Sequence, residues 1–329
     1  MRRVKQMNND ILTEQLNEAT DAIITHRDLP LSAREPGLAA LTAIAAELRN
    51  LPRADFKARL RADLKRRASM TTTAIKPMRE GFHTITPYLR VPAAVELIDF
   101  VKSAFGAEEL MRTTGPAGGI HAEVTIGDSI VMIGGGDASH VAPMPTALHL
   151  YVPDADAVYE RAIQAGAASM HRPIDQPYGD REAGVKDLSG NYWYIATHKA
   201  TGLAPEGLRS VTPYLHPRGA QQMIDFLERA LGAEEQFRHQ SPDGVIHHAT
   251  VKIGDSVVEM GEAHGPWQPM PTMFYLYVDD VDRWYRHALA NGGASISGPK
   301  DQPFGDRLAG VRDPFDNEWY LATPVRESM

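Results

Sequence analysis

The chain has no cysteine among its 329 residues, which excludes disulfides, thiolate metal sites and a cysteine nucleophile. It has no long apolar run at its start either. The basic opening with Arg2, Arg3 and Lys5 is interrupted at once by Gln6, Asn8, Asn9 and Asp10, so neither an export signal nor a membrane span is expected. A cytoplasmic location is the expectation. Clustered positive charge is also missing from most of the chain. Of the formal net charge of −8, residues 1–80 hold 15 Lys/Arg against 10 Asp/Glu, leaving 19 against 32 for the remainder. So acidic a body has little to offer nucleic-acid phosphates, and no nucleic-acid partner is expected. The length suffices for two or three domains with ordinary cores.

What the chain does have is self-similarity at a spacing of 126 residues. Thr86-Pro87-Tyr88-Leu89 recurs as Thr212-Pro213-Tyr214-Leu215, Ile98-Asp99-Phe100 as Ile224-Asp225-Phe226, and Gly106-Ala107-Glu108-Glu109 as Gly232-Ala233-Glu234-Glu235. Gly127-Asp128-Ser129 returns one residue late as Gly254-Asp255-Ser256, and Met144-Pro145-Thr146 to Met270-Pro271-Thr272 restores the register. Gly179-Asp180-Arg181 and Gly305-Asp306-Arg307 extend the series. Repeats must be read before local structure because they fix the architecture. Within the first copy, alternation over 84–91 gives a strand, and Ala94, Leu97, Ile98 and Val101 give a helix ending before Gly106. Three short strands follow, at 108–112, 120–126 and 129–133. A second β-α-β-β-β unit runs from Ala147 to Thr197, with its helix from about Asp154 to Ala165. The first 75 residues differ: Leu12, Leu16, Ala19 and Ile23, then Leu38, Leu41, Ala45 and Leu48, then Phe56, Leu60 and Leu64 form three helical stripes, the last strongly basic. This arm either docks on the body or binds a partner protein.

The pattern Thr86-Pro87-Tyr88-Leu89, Phe105-Gly106-Ala107, His121-Ala122-Glu123, Gly127-Asp128-Ser129, Gly179-Asp180-Arg181 and Asp187, Gly190-Asn191, Trp193 resembles the PhnB-like branch of the glyoxalase/bleomycin resistance/dioxygenase (vicinal oxygen chelate) superfamily. The resemblance implies an α+β fold. It comprises a tandem repeat of two glyoxalase-like domains, 82–199 and 208–325, each made of two βαβββ modules forming a curved mixed sheet. A short α-helical segment and linker, 1–75, precedes them, and the two domains are expected to pack as an internal pseudo-dimer.

Metal-dependent members carry His, Gln or Glu ligands on the first, fifth and last strands of a domain. By register those positions fall on Thr86 and Thr212, Ala147 and Met273, and Tyr194 and Tyr320, none a good ligand for a hard divalent ion. No cofactor is therefore expected. A relocated metal would have to use His149 or Glu318. Period-two alternation instead places Tyr88, His149, Tyr151 and Tyr194 in one copy, and Tyr214, Tyr275, Tyr277 and Tyr320 in the other, on the walls of two cups. Aromatic walls suit a flat or amphipathic small molecule, although core packing is the competing use of these rings. Arg181 and Arg307 either fix a loop or clamp an anionic ligand at the cup mouth. His121 and Glu123 share a strand face that could transfer protons, but their counterparts His248 and Thr250 lose the carboxylate, and a solvated or interface face is expected there. The leading expectation is metal-independent small-molecule binding. The alternatives are a divalent-metal lyase, isomerase or dioxygenase, and a ligand sensor acting on a protein through residues 1–75.

Overall fold

The computed structural model describes residues 78–115, 118–136 and 142–325. The three helical stripes expected before residue 75 lie outside these. Four βαβββ modules follow one another. The first is β1 (Ile85–Arg90), α1 (Ala94–Phe105), β2 (Glu108–Thr114), β3 (Ile120–Ile126) and β4 (Ser129–Gly135). The second is β5 (Ala147–Tyr151), α2 (Ala155–Gln164), β6 (Ala168–Asp175), β7 (Asp180–Lys186) and β8 (Tyr192–His198). The third is β9 (Val211–Leu215), α3 (Ala220–Leu231), β10 (Glu234–Gln240), β11 (Ile246–Ile253) and β12 (Ser256–Met260). The fourth is β13 (Met273–Tyr277), α4 (Val281–Ala290), β14 (Ala294–Asp301), β15 (Asp306–Arg312) and β16 (Glu318–Pro324).

Local chemistry sets these bounds. Helix α1 stops at Gly106, whose φ of 70° is left-handed backbone that glycine adopts without a Cβ penalty. Asp154 and Asp280 cap α2 and α4 by accepting from the backbone N–H groups of Ala157 and Arg283. No described helix is long and apolar enough to cross a membrane.

The sheets hold two modules each, as the sequence suggested, but the two come from different copies. One eight-stranded sheet runs β14-β15-β16-β13-β1-β4-β3-β2, and the other β10-β11-β12-β9-β5-β8-β7-β6. Antiparallel pairing of β1 with β13, and of β5 with β9, joins the halves. Apolar side chains from one face of each sheet, Val131 and Ile133 of the first and Leu148, Leu150, Trp193 and Ile195 of the second, pack with α1 and α2 in a single buried cluster. The opposite face of each sheet is the inner wall of a cup.

The recurring Gly-Asp-Ser turn is what fastens one copy to the other. Asp128 Oδ1 accepts from the Ser210 N–H at 2.8 Å and Ser129 Oγ from the Val211 N–H at 3.0 Å. The second copy reciprocates, with Asp255 accepting from Thr84 at 2.7 Å and Ser256 from Ile85 at 3.0 Å. A Cβ at Gly127 would fall 2.2 Å from Ser210 Oγ, and one at Gly254 2.2 Å from Thr84 Oγ1, so both turns require glycine. Burial raises the Asp255 carboxyl, but the Thr84 hydrogen bonds and then His83 outweigh it and bring it down to about 2. A depressed carboxylate contributes stability that is present above its unfolded value near 4 and is lost as pH falls through the folded value. Asp255 is partly exposed, so the contribution, discounted for screening, is about 1 kcal/mol. Asp255→Asn is expected to flatten the pH dependence of denaturant midpoints between about pH 4 and pH 2.

Candidate functional site

The first cup belongs to the β1 sheet. Tyr88 and Met132 pair on β1 and β4, and Tyr275 and Tyr320 on β13 and β16. Its interior is filled by the chain's own residues. Met78 and Phe82, from the segment preceding β1, join Ile130, Met132, Tyr275, Tyr277 and Leu308 in one apolar cluster. Phe82 stands edge-on to Tyr277 at 5.9 Å between ring centres. Arg79 lies over the Phe82 ring at 4.5 Å and grips Glu123 through its two terminal guanidinium nitrogens, at 2.6 and 2.8 Å. Burial pushes the Glu123 carboxyl up, yet the hydrogen bonds of His121 and Arg79, with the Arg79 charge, hold it below its ordinary value.

This corrects the expectation of a solvated face for His121 and Glu123. Glu123 is only 2% exposed and is part of the filling of the cup. Because Arg79 is about half exposed, its pair with Glu123 is screened, and Arg79→Ala is expected to cost about 1 kcal/mol in urea unfolding. Tyr88 donates to or accepts from His121 Nδ1 at 3.1 Å, and burial lifts its hydroxyl to about 12.

The second cup is chemically different. His149, on β5, lies beside Tyr194 on β8 and Thr212 on β9. Its Nδ1 is 3.0 Å from Glu259 Oε2 of β12, and its Nε2 is 3.5 Å from Glu182 Oε2 of β7. Beyond them His248 Nε2 lies 3.6 Å from Glu259 Oε1, and His171 Nε2 lies 3.7 Å from Glu182 Oε1. An alternating row of imidazoles and carboxylates, His248-Glu259-His149-Glu182-His171, thus crosses the floor over five strands.

Burial alone would lower the His149 imidazole, but the charge and hydrogen bond of Glu259, then the charges of Glu182 and Asp180, hold it raised. His149 thus lies between two carboxylates that favour its protonated form. His248 is depressed, chiefly by burial. Tyr151 stacks on His149 at 4.3 Å. Tyr194 Oη lies 2.9 Å from His216 Nε2, and burial with the neighbouring His264 brings His216 down to about 4. Tyr178, at the tip of the β6–β7 hairpin, donates to Glu182 Oε2 at 2.9 Å.

Register between the copies shows what separates the cups. Where the second has His149, Glu259, Glu182 and Tyr178, the first has Tyr275, Met132, Leu308 and Phe304. The carboxylate has also crossed one rung of the ladder, since Glu123 faces Met132 while Thr250 faces Glu259.

Of the residues selected from sequence, Tyr88, Tyr275, Tyr277 and Tyr320 line the first cup, and His149, Tyr151, Tyr194 and Tyr214 the second. Arg181 and Arg307 belong to neither. Alternation puts them on the helix side, where Arg181 binds Asp156 and Asp175, and Arg307 binds Asp282 and Asp301. They fix the hairpins to the helices. Arg181→Ala and Arg307→Ala are expected to leave ligand binding in either cup unchanged in calorimetric titration. Across the strands, the residue beside Tyr194 is His149, while Ala147 stands beside Tyr192.

Glu182 and Glu259 were missed by the sequence reading, although each stands opposite an apolar residue in the other copy. The donors present do not converge on a metal: Glu259 and Glu182 sit at opposite edges of the His149 ring, and one ion cannot engage both nitrogens. Among the described residues no group of three or more His, Cys, Asp or Glu is arranged to hold one. Glu318, the other residue considered for a metal, is held by Arg90 and Arg312 instead.

Comparison with known proteins gives a consistent picture. The family model of the Glyoxalase/Bleomycin resistance protein/Dioxygenase superfamily matches residues 81–195 and 217–321. An uncharacterized protein of Mycobacterium bovis is 36% identical over 129 residues, covering 36% of this chain and 85% of its own length. A Mycobacterium tuberculosis protein named "Putative glyoxylase CFP32" is 26% identical over 204 residues, covering 56% of this chain and 76% of its own. The crystal structure of glyoxalase I from Zea mays aligns with a TM-score of 0.57 at 16% identity, over 73% of this chain and 92% of the maize chain. At that identity the likeness concerns the fold alone.

Proposed function

This chain belongs to the Glyoxalase/Bleomycin resistance protein/Dioxygenase superfamily, and from that premise we propose that it binds a small molecule in the second cup without a metal ion. The observation that carries the reading is the contrast between the cups. One is filled by Met78 and Phe82 and lined by Tyr275, Met132 and Leu308, and the other keeps His149, Glu259 and Glu182 beneath aromatic walls. Buried ionisable groups set among aromatic rings are what a ligand site concentrates.

Elemental analysis of the purified protein tests the absence of metal. The expected result is no stoichiometric divalent ion and unchanged thermal stability in chelator. A stoichiometric ion lost on His149→Ala would overturn the reading and favour a metal-dependent lyase, isomerase or dioxygenase. The row of imidazoles and carboxylates favours one further reading, proton transfer on the bound molecule, because such groups are general acids and bases near neutral pH. Under it His149→Gln abolishes turnover while leaving the ligand bound.

A further inference from the structure

The first cup holds an internal occupant, and the register of the copies shows that the second cup has lost its equivalent. Met78-Arg79-Glu80-Gly81-Phe82 aligns with Ala204-Pro205-Glu206-Gly207-Leu208 at the common spacing. The backbone path is kept, with positive φ at Gly81 (80°) and Gly207 (87°), but the side chains that fill the first cup are gone. Arg79, which serves the buried Glu123, is replaced by Pro205. Phe82, on which the guanidinium rests, is replaced by Leu208. The second cup nevertheless keeps the buried carboxylates Glu259 and Glu182, and among the described residues no arginine or lysine pairs with either.

Their hydrogen bonding leaves room for one. Glu259 uses Oε2 on His149, and its Oε1 faces an imidazole nitrogen at 3.6 Å. Glu182 uses Oε2 on Tyr178, and its Oε1 faces His171 at 3.7 Å. Both carboxylates flank His149, and among the described residues imidazoles are the only basic groups paired with them, which leaves a place for a further cation. Flat aromatic surface stands beside it in Tyr178, 60% exposed, and in Phe237, 53% exposed and 6.0 Å from His248. Planar cations are held by such rings through their negative faces and by carboxylates through paired N–H donors.

We propose that the second cup binds an external ligand carrying a planar amidinium or guanidinium cation attached to an aromatic or apolar body, in the place that Arg79 and Phe82 occupy in the first cup. The proposal rests on the reading of the second cup as the ligand site, and it adds the charge and shape of what enters.

The test uses benzamidine, with benzamide and benzoate as neutral and anionic isosteres, titrated into the full chain and followed by calorimetry and NMR. The expected result is saturable binding of benzamidine, at least tenfold tighter than either isostere. Glu182→Leu and Glu259→Met, which copy the first cup, and the milder Glu182→Gln are expected to weaken it at least tenfold. The double substitution Pro205→Arg with Leu208→Phe, which rebuilds the internal occupant, is expected to abolish it. Circular dichroism and melting of each variant separate loss of binding from loss of fold. Benzamidine that fails to bind, or that binds all variants equally, overturns the proposal. If benzoate or benzamide binds and only the rebuilt occupant blocks it, the cation is refuted while the cup remains the site.

Discussion

Glu259→Met is expected to lower the unfolding free energy by roughly 3–5 kcal/mol, the usual consequence of stranding one partner of a buried ion pair. Glu259 is 2% exposed and His149 5%, so the imidazole left behind keeps only Glu182, 3.5 Å from its Nε2, or gives up its proton. His149→Tyr alone is expected to cost a similar amount, because Glu259 then remains buried without its cation. Made together, the two changes reproduce the pairing of Met132 with Tyr275 in the first cup, and part of the loss is expected to be regained, Glu182 keeping Tyr178 and His171 beside it. A double-mutant cycle in urea therefore reads a coupling of about 2 kcal/mol or more. Additive losses would mean that the two side chains act independently. The pH dependence carries a further sign. A His raised on folding contributes stability that is fully present below its unfolded value near 6.5 and is lost as pH rises through the folded value. The double variant is expected to lose that slope.

Asp313→Ala is expected to be as damaging, on the order of 4 kcal/mol, for a different reason. Its two oxygens accept four hydrogen bonds, from the backbone of Phe315 and Asn317, the Asn317 amide and the Trp319 indole, all between 2.8 and 2.9 Å. Asn317 in turn accepts from the Thr272 backbone at 2.8 Å, so the turn before β16 is tied to the strand start at β13. Removing the carboxylate leaves a fully buried indole N–H without an acceptor. Asp313→Asn keeps an acceptor on Trp319 and is expected to cost less than half as much. Asp187, Asn191 and Trp193 repeat the arrangement in the first copy, and Asp187→Ala should match it in equilibrium unfolding.

The repeat and the order of elements were legible because each rests on local chemistry: strand alternation, the glycine stops, and the Asp caps. Which half pairs with which was not. The first strands of all four modules carry similar apolar patterns, so pairing within a copy and pairing across copies satisfy the same sequence. The choice shows only in contacts such as Asp255 to Thr84. The site was half legible for a related reason. Attention to the first, fifth and last strands found His149 and the tyrosines, but the carboxylates stand on β12 and β7. Comparing Met132 with Glu259 and Leu308 with Glu182 would have exposed them, since a charged residue in a buried strand position of one copy alone needs a reason. Arg181 was readable too, because the alternation that places Glu182 inside places its neighbour outside.

Exchange of halves between the copies also decides how the polypeptide can be made and cut. The strands of the polar cup run without interruption from Ala147 to Met260, whereas those of the filled cup begin at Ile85 and end at Pro324. During synthesis the polar sheet has all its strands before residue 273 emerges, while β1 to β4 must wait for the last segment of the chain. A fragment that stops after the first repeat, near residue 200, would contain neither cup. The smallest contiguous stretch that holds His149, Glu182 and Glu259 on one sheet straddles the boundary between the two family matches.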